Sequence, residues 1–276
     1  PDGIFYKMNP NSFKISDDEY VIDKYYVTYL TSCKDLFLED QKIIIKKTYL
    51  FGNPSFSVSN PDDTQLTPLP GTESEVNTIS SLLKLNDWNV KSFLGRDASE
   101  LRLKSAYNPT ILHIATHGFF ADNGNFISSM TPINNPLFKS GLFLSGATDT
   151  YSHFLEGIPS KPSNDGVLTA YEAMHLELSQ TQLVVLSACE SGLGDVKNGE
   201  GVYGLQRAFM VAGARNIITS IFKVGDQTTN ELMVMFYTKL IESGRVDESL
   251  MYAQRKLKET YSDTKTWGAF LLTGNK

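Results

Sequence analysis

The chain is predicted to be an α/β protein with a mostly parallel sheet and helices on both faces. Three observations predict this. Apolar runs that stop at Gly- or Pro-marked loops alternate with amphipathic helical segments. Two of these runs, Thr110-Ile111-Leu112-His113-Ile114-Ala115-Thr116 and Leu183-Val184-Val185-Leu186-Ser187-Ala188, are largely apolar, as strands covered on both faces are. The 276 residues are 41% hydrophobic and 20% charged, which suits one packed core rather than a disordered chain.

Taken in order, residues 1–34 read as irregular with a strand-rich stretch over 19–29. Residues 46–51 form a strand ending at Gly52-Asn53-Pro54, and the Pro-, Ser- and Asp-rich segment 54–70 reads as a surface loop. A helix follows, with Thr72 as N-cap, Glu75 closing a capping box, and Val76, Ile79, Leu82 and Leu83 on its apolar face. Residues 90–94 form a short strand. Asp97-Ala98-Ser99-Glu100 opens a second helix, and the run to His117 is the next strand. Two long polar loops, 119–137 and 148–165, flank a short strand at 141–145. A helix at 168–176 leads to the strand that ends at Cys189. A loop at 195–201 precedes an apolar helix at 202–212, stopped by Gly213. A strand at 215–222, helices at 226–242 and 247–260, and a last strand or packed tail at 267–273 complete the chain. We divide it into an N-terminal appendage, 1–45, and a main domain, 46–276.

The net charge of −6, with no Lys/Arg-rich run, argues against a nucleic-acid partner. Two distant cysteines, Cys33 and Cys189, make no disulfide framework and fit a reducing, cytoplasmic setting. No membrane span or signal-peptide pattern is expected, and the chain, opening on Pro1, reads as part of a longer or processed protein. Cys33 lies in a Thr-Ser-Cys-Lys turn and is taken as structural.

Two strands end on residues with chemistry. One ends at His117-Gly118, the other at Cys189-Glu190-Ser191-Gly192-Leu193-Gly194. Reactive groups in parallel sheets sit just past the carboxyl ends of strands, so a thiol nucleophile and an imidazole acid–base partner could meet there. The bland alternatives are a small buried Cys and a satisfied strand-end His. The glycines after each residue favour exposure and donors for an oxyanion. His113, on the same strand face as His117, reads as a buried, hydrogen-bonded residue behind the site. Asp226 is a helix N-cap or a carboxylate projecting into a pocket for a basic side chain. No metal or cofactor site is expected: Cys-x-x-Cys is absent, and the Gly-rich stretch after Cys189 carries no Lys-Ser/Thr and is crowded with carboxylates.

Leu69-Pro70-Gly71-Thr72-Glu73-Ser74-Glu75-Val76, Leu112-His113-Ile114-Ala115-Thr116-His117-Gly118, Asp165-Gly166-Val167-Leu168-Thr169-Ala170-Tyr171-Glu172, residues 183–194, residues 199–209, Ala212-Gly213-Ala214-Arg215 and Trp267-Gly268-Ala269-Phe270 together resemble the CHAT peptidase family, a bacterial branch of the caspase and separase class. The resemblance spans roughly residues 51–273. It implies a caspase-like three-layer α/β sandwich and a cysteine endopeptidase with Cys189 as nucleophile and His117 as its proton-transfer partner. It also implies an oxyanion hole from the N–H groups of Gly118 and Cys189, with Phe119 and Ser187 lining the cleft. Gly225 stands where the family pattern has an Asp, while Asp226 matches the next Asp; the separases, similar over this stretch, use the corresponding acid to read a basic side chain. The implied partners are a protein or peptide substrate and a regulatory partner or fused tetratricopeptide-repeat domain. No third member of a triad stands out in the sequence. An inactive caspase-like interaction module and a thiol acyltransferase or amidase are the rival expectations.

Overall fold

The computed structural model describes residues 8–25, 27–30, 33–37, 42–43, 46–60, 65–120, 136–138, 140–150, 164–187, 200–222 and 225–274. Cys189, most of both long loops, and residues 195–199 of the loop expected at 195–201 lie outside the described residues.

A six-stranded sheet forms the middle layer. Its strands are β1 (Lys47–Pro54), β2 (Asn89–Gly95), β3 (Ile111–Ala115), β7 (Leu183–Leu186), β8 (Asn216–Ser220) and β9 (Phe270–Gly274), in the spatial order β2-β1-β3-β7-β8-β9. All neighbours pair in parallel except β8 and β9. A second, antiparallel sheet joins β4 (Gly118–Phe120), β5 (Ser140–Phe143) and β6 (Val167–Thr169). Helices α2 (Pro70–Lys84), α6 (Asp226–Ser243) and α7 (Val246–Thr260) bury their apolar stripes on one face of the main sheet, against Leu50, Ile111, Leu183, Val185 and Ile218. Phe51, Leu112, Ile114, Val184, Leu186 and Ile217 point to the other face, towards α3 (Glu100–Lys104), α4 (Ala170–Ala173) and α5 (Glu200–Val211). Strict alternation along each buried strand thus feeds two separate cores, and the three-layer α/β architecture follows.

Three expectations change. Residues 19–29 are not strand-rich: α1 (Val21–Lys24) forms there because the Asp23 carboxylate accepts from the Tyr20 N–H at 2.8 Å, and Ile22 enters the core. Thr72 is not the cap of α2. Pro70, whose fixed φ suits the first helical turn, starts the helix earlier, and the Thr72 hydroxyl instead donates to Leu69 O and accepts from Asn53 N. The segment 168–176 begins as a strand, with Leu168 opposite Leu142, and turns helical only after Thr169, whose hydroxyl and Glu172 form a capping box. The N-terminal segment packs along β9 and α7: Asn9 Nδ2 donates to Gly268 O, Tyr29 N to Leu272 O, and Lys258 pairs with Asp23.

Helix α2 crosses β1 at Gly52. A Cβ there would fall 2.7 Å from Val76 Cγ2 and 2.8 Å from the Thr72 carbonyl, and neither a branched side chain nor helical backbone can retreat cheaply. Gly52→Ala is therefore expected to destabilise the chain by about 1–3 kcal/mol, read as a lower urea midpoint at constant m-value.

Candidate active site

β3 and β7 run in parallel with a constant register: each β3 residue faces the β7 residue 72 positions later, from Ile111 against Leu183 to Ile114 against Leu186. The ladder continues past the last paired residue, where Ser187 N donates to Ile114 O at 2.9 Å. Beyond Ala115 the chain leaves the main sheet. Thr116 Oγ1 donates to Phe143 O, Phe143 N donates to His117 O, and Gly118 begins β4 opposite Leu142. His117 therefore sits where the chain passes from one sheet to the other, pinned on its backbone.

The imidazole of His117 is pinned as well. Its Nε2 lies 2.8 Å from the carbonyl oxygen of Thr67. A carbonyl can only accept, so Nε2 carries a proton and donates it; in the neutral ring the lone pair is then on Nδ1. A backbone carbonyl has no signature in a sequence, which is why no third group was legible there. Nor is the ring open to solvent, as expected for a strand end: it is only 4% exposed. Phe56 stacks on it with centroids 5.3 Å apart, and Phe56 itself belongs to a small apolar cluster with Leu66, Phe119, Phe143, Ala147 and Val167. Residues 54–70, expected to be a plain surface loop, thus supply both the cover and the acceptor of His117. Their near end is held by Asp149, which accepts from Val58 N at 2.7 Å and from the Ser57 hydroxyl at 3.0 Å. Burial works against its charge, but the bonds from Ser59, Val58 and Ser57 hold its carboxyl below the ordinary value.

Behind His117 lies a buried polar chain. His113 is fully buried, with Nδ1 3.1 Å from the Tyr237 hydroxyl and Nε2 3.0 Å from Glu75 Oε1. The other carboxylate oxygen of Glu75 accepts from Ser187 Oγ at 3.3 Å. Burial, with the Glu75 charge adding to it, pushes the Tyr237 phenol well above its ordinary pKa, so Tyr237 stays neutral. His113 is where the sequence placed it, a buried, hydrogen-bonded residue of β3. Glu75 was missed as a core residue and taken for a cap. The signal was there: Glu75 is four residues before Ile79 and beside Val76, in phase with the buried stripe of α2.

Of the other expected site residues, Ser187 is buried, with its hydroxyl turned onto Glu75. Phe119 is buried against Phe143, their centroids 4.8 Å apart. Asp226 is the first residue of α6, capped by Gly225, and is exposed. Its carboxylate lies against the start of α2: a Cβ on Gly71 would fall 2.1 Å from Asp226 Oδ2. The structure therefore brings Asp226 and His117 to the same end of α2, one at Gly71 and the other at Thr67. Cys33 is exposed and contributes nothing to the core. Among the described residues, no group of three or more His, Cys, Asp or Glu side chains is placed to hold a metal, and no helix is long and apolar enough to cross a membrane.

A second ionisable cluster ties β6 to α3. Glu100, fully buried, pairs with Lys104 and accepts from Gly166 N at 3.0 Å, and Lys104 also reaches Glu172 at 2.8 Å. Burial, and then the Glu100 charge, raise the neighbouring Asp165 carboxyl to about 7. Folding thus favours protonated Asp165. Its contribution to stability is complete below the unfolded carboxyl pKa of roughly 4 and is lost as pH rises through about 7. Asp165→Asn keeps the acceptor for Val167 N and removes the titration. Relative to the unchanged chain, it is expected to gain roughly 2–4 kcal/mol of stability between pH 5 and pH 8 in urea unfolding.

The model of the CHAT domain family matches residues 1–275. Tetratricopeptide repeat protein 28 of Homo sapiens is 25% identical over 284 aligned residues, covering 94% of this chain and 11% of that protein. The Mus musculus protein of the same name is 26% identical over 240 residues, covering 82% of this chain and 9% of its own length. The chain thus spans about a tenth of the curated relatives it matches, and these two are mammalian. Among solved structures, the Arg-specific cysteine proteinase gingipain R aligns with a TM-score of 0.49 at 11% identity, covering 83% of this chain and 46% of that one.

Proposed function

We propose, from the premise that the chain belongs to the CHAT domain family, that it is a cysteine endopeptidase working through a dyad of Cys189 and His117. The observation that carries this is the register of β3 against β7. These two strands are parallel neighbours, and His117 and Cys189 each follow the carboxyl end of one of them, two residues past Ala115 and three past Leu186, which supports the pairing of the two.

In this reading the Cys189 thiol gives its proton to His117 Nδ1, the nitrogen left basic by the Thr67 carbonyl on Nε2. The thiolate adds to the scissile carbonyl. The N–H groups of Gly118 and Cys189 hold the oxyanion, a contribution of roughly 3–4 kcal/mol per donor in related chemistry. The imidazolium then protonates the leaving amine as the C–N bond breaks, leaving a thioester. Water, deprotonated by His117, hydrolyses that ester and restores the thiol. Asp226, exposed beside the start of α2, selects a Lys or Arg side chain before the cut by charge-assisted hydrogen bonding. Phe119 and Ser187 support the cleft from beneath, since both are buried. The cover that Phe56 places over His117 describes a closed resting state, opened by a partner or by a tetratricopeptide-repeat region of the kind the relatives' names record. The setting is the cytoplasm, the substrate a protein or peptide, with no nucleic acid, membrane, cofactor or metal taking part.

The same burial of His117 favours a second reading, an inactive interaction module that kept the fold. Digestion of a peptide library by the longest available protein separates the two. The peptidase reading expects cuts after Lys or Arg. It expects Cys189→Ala and His117→Ala to lower kcat/KM by at least about 10⁴-fold, and Asp226→Asn to lower it about 10- to 100-fold for basic residues alone. No cleavage with or without the repeat region, or cleavage that survives Cys189→Ala, contradicts it.

A further inference from the structure

We infer that Asp149 latches an autoinhibitory cover over His117; the inference rests on the dyad proposed above and names what holds its resting state. His117 is 4% exposed, and a substrate's leaving amine has to reach that imidazole, so the group stacked on it must move before a peptide is cut. That group is Phe56, with its ring centroid 5.3 Å from that of the imidazole. Phe56 is carried by residues 55–59, just past β1. Ser55 N still belongs to the strand end, donating to Gly95 O. The remaining fastenings of this strap run to the turn after β5. Gly146 N donates to Ser55 O and Thr148 N to Phe56 O, each at 3.0 Å. Asp149 completes the row: its carboxylate accepts from Val58 N at 2.7 Å, from Ser57 Oγ at 3.0 Å, and from both the N–H and the hydroxyl of Ser59.

Two features make this a latch rather than a piece of the core. One carboxylate takes donors from three successive residues. Such charge-assisted bonds are the strong kind, and bonds that share one acceptor are lost together. The apolar part of the cover, in turn, belongs to the small cluster of Phe56, Leu66, Phe119, Phe143, Ala147 and Val167, separate from the two cores that flank the main sheet. Lifting 55–59 therefore breaks neither layer, and segments with few buried apolar contacts open at low cost. The hold on Nε2 lies elsewhere. Thr67 stands three residues before α2, whose first turn is tied to the end of β1 through Thr72 and Asn53. The cover can thus open at Phe56 while the Thr67 carbonyl keeps the proton on Nε2, and the imidazole stays oriented for chemistry.

The test reads the imidazole without relying on catalysis. Diethyl pyrocarbonate acylates accessible neutral imidazoles, and mass spectrometry of the peptides assigns each histidine. Fully buried His113 reports global unfolding, and exposed His175 reports the strength of the reagent. Asp149→Ala is expected to speed acylation of His117 at least about tenfold, with His113 and His175 unchanged. Ser59→Ala removes one exposed hydroxyl, carries the test if Asp149→Ala fails to fold, and is expected to speed it at least about twofold. Phe56→Ala takes the cover off directly and sets the upper rate. With a peptide substrate, Asp149→Ala and Ser59→Ala should raise kcat/KM by similar factors, the opposite of what losing a merely structural bond does. A His117 rate that rises only in step with that of His113 makes Asp149 a structural residue and overturns the inference. So does a His117 rate that Phe56→Ala raises and the other two variants leave alone. Faster acylation with cleavage present but not raised overturns the autoinhibition. If His117 reacts freely and no form, Phe56→Ala included, cleaves any peptide, the dyad itself falls and takes the inference with it.

Discussion

The parallel ladder between β3 and β7 is the constraint on which the rest depends. A parallel pair has no freedom of register once its side chains are committed to two cores: a slip of one residue would turn Leu183 and Val185 away from α2 and α6 and drive Val184 and Leu186 out of the opposite layer. That commitment fixes which residues stand opposite one another at the carboxyl end of the sheet. The chemistry proposed for His117 and Cys189 builds on that end of the sheet. It takes from the ladder that His117 and Cys189 follow the carboxyl ends of neighbouring parallel strands.

Around that ladder, polar groups are placed where an apolar core would be cheaper. His113, Glu75, Tyr237 and Ser187 form one buried chain, and each link supplies a direction that packing alone does not. The Thr67 carbonyl does for His117 what a carboxylate does in many dyads: it fixes the protonated nitrogen. Phe56 completes the setting with an apolar face over the ring, which excludes water and strengthens the bond beneath it. The start of α2 is thus at once a structural brace, through Thr72 and the close crossing at Gly52, and the frame of the proposed site.

Most of this was legible where periodicity and burial coincide. The strands at Ile111–Ala115 and Leu183–Leu186 announce themselves by continuous apolar runs, the long helix by its pattern and the closing Gly244, and His113 by its phase. The misreadings share a cause. Thr72 and Glu75 fit a capping box so well that the local rule hid the tertiary use of both residues, one bonded to β1 and the other lying against His113 of β3 and accepting from Ser187 past β7. Leu168 fits a helical stripe as well as a strand, and its antiparallel partner Leu142 decides the matter from outside the local window. Residues 54–70 carry the composition of a loop and are one; no composition tells that a loop's Phe56 and Thr67 close upon a histidine 50 residues further on.

The central claim is geometric: position 117 faces position 189. Cross-linking measures it most directly. In the chain bearing Cys33→Ser, the substitution His117→Cys puts a second thiol at the position the account pairs with Cys189. A disulfide forms only where the two Cα atoms can come within about 4.4–6.8 Å of each other. Under mild oxidation the account expects an intramolecular 117–189 disulfide, seen by mass spectrometry as one linked peptide pair in a monomer with no thiol left to alkylate. Two thiols that stay alkylatable, or that join only between molecules, would contradict it.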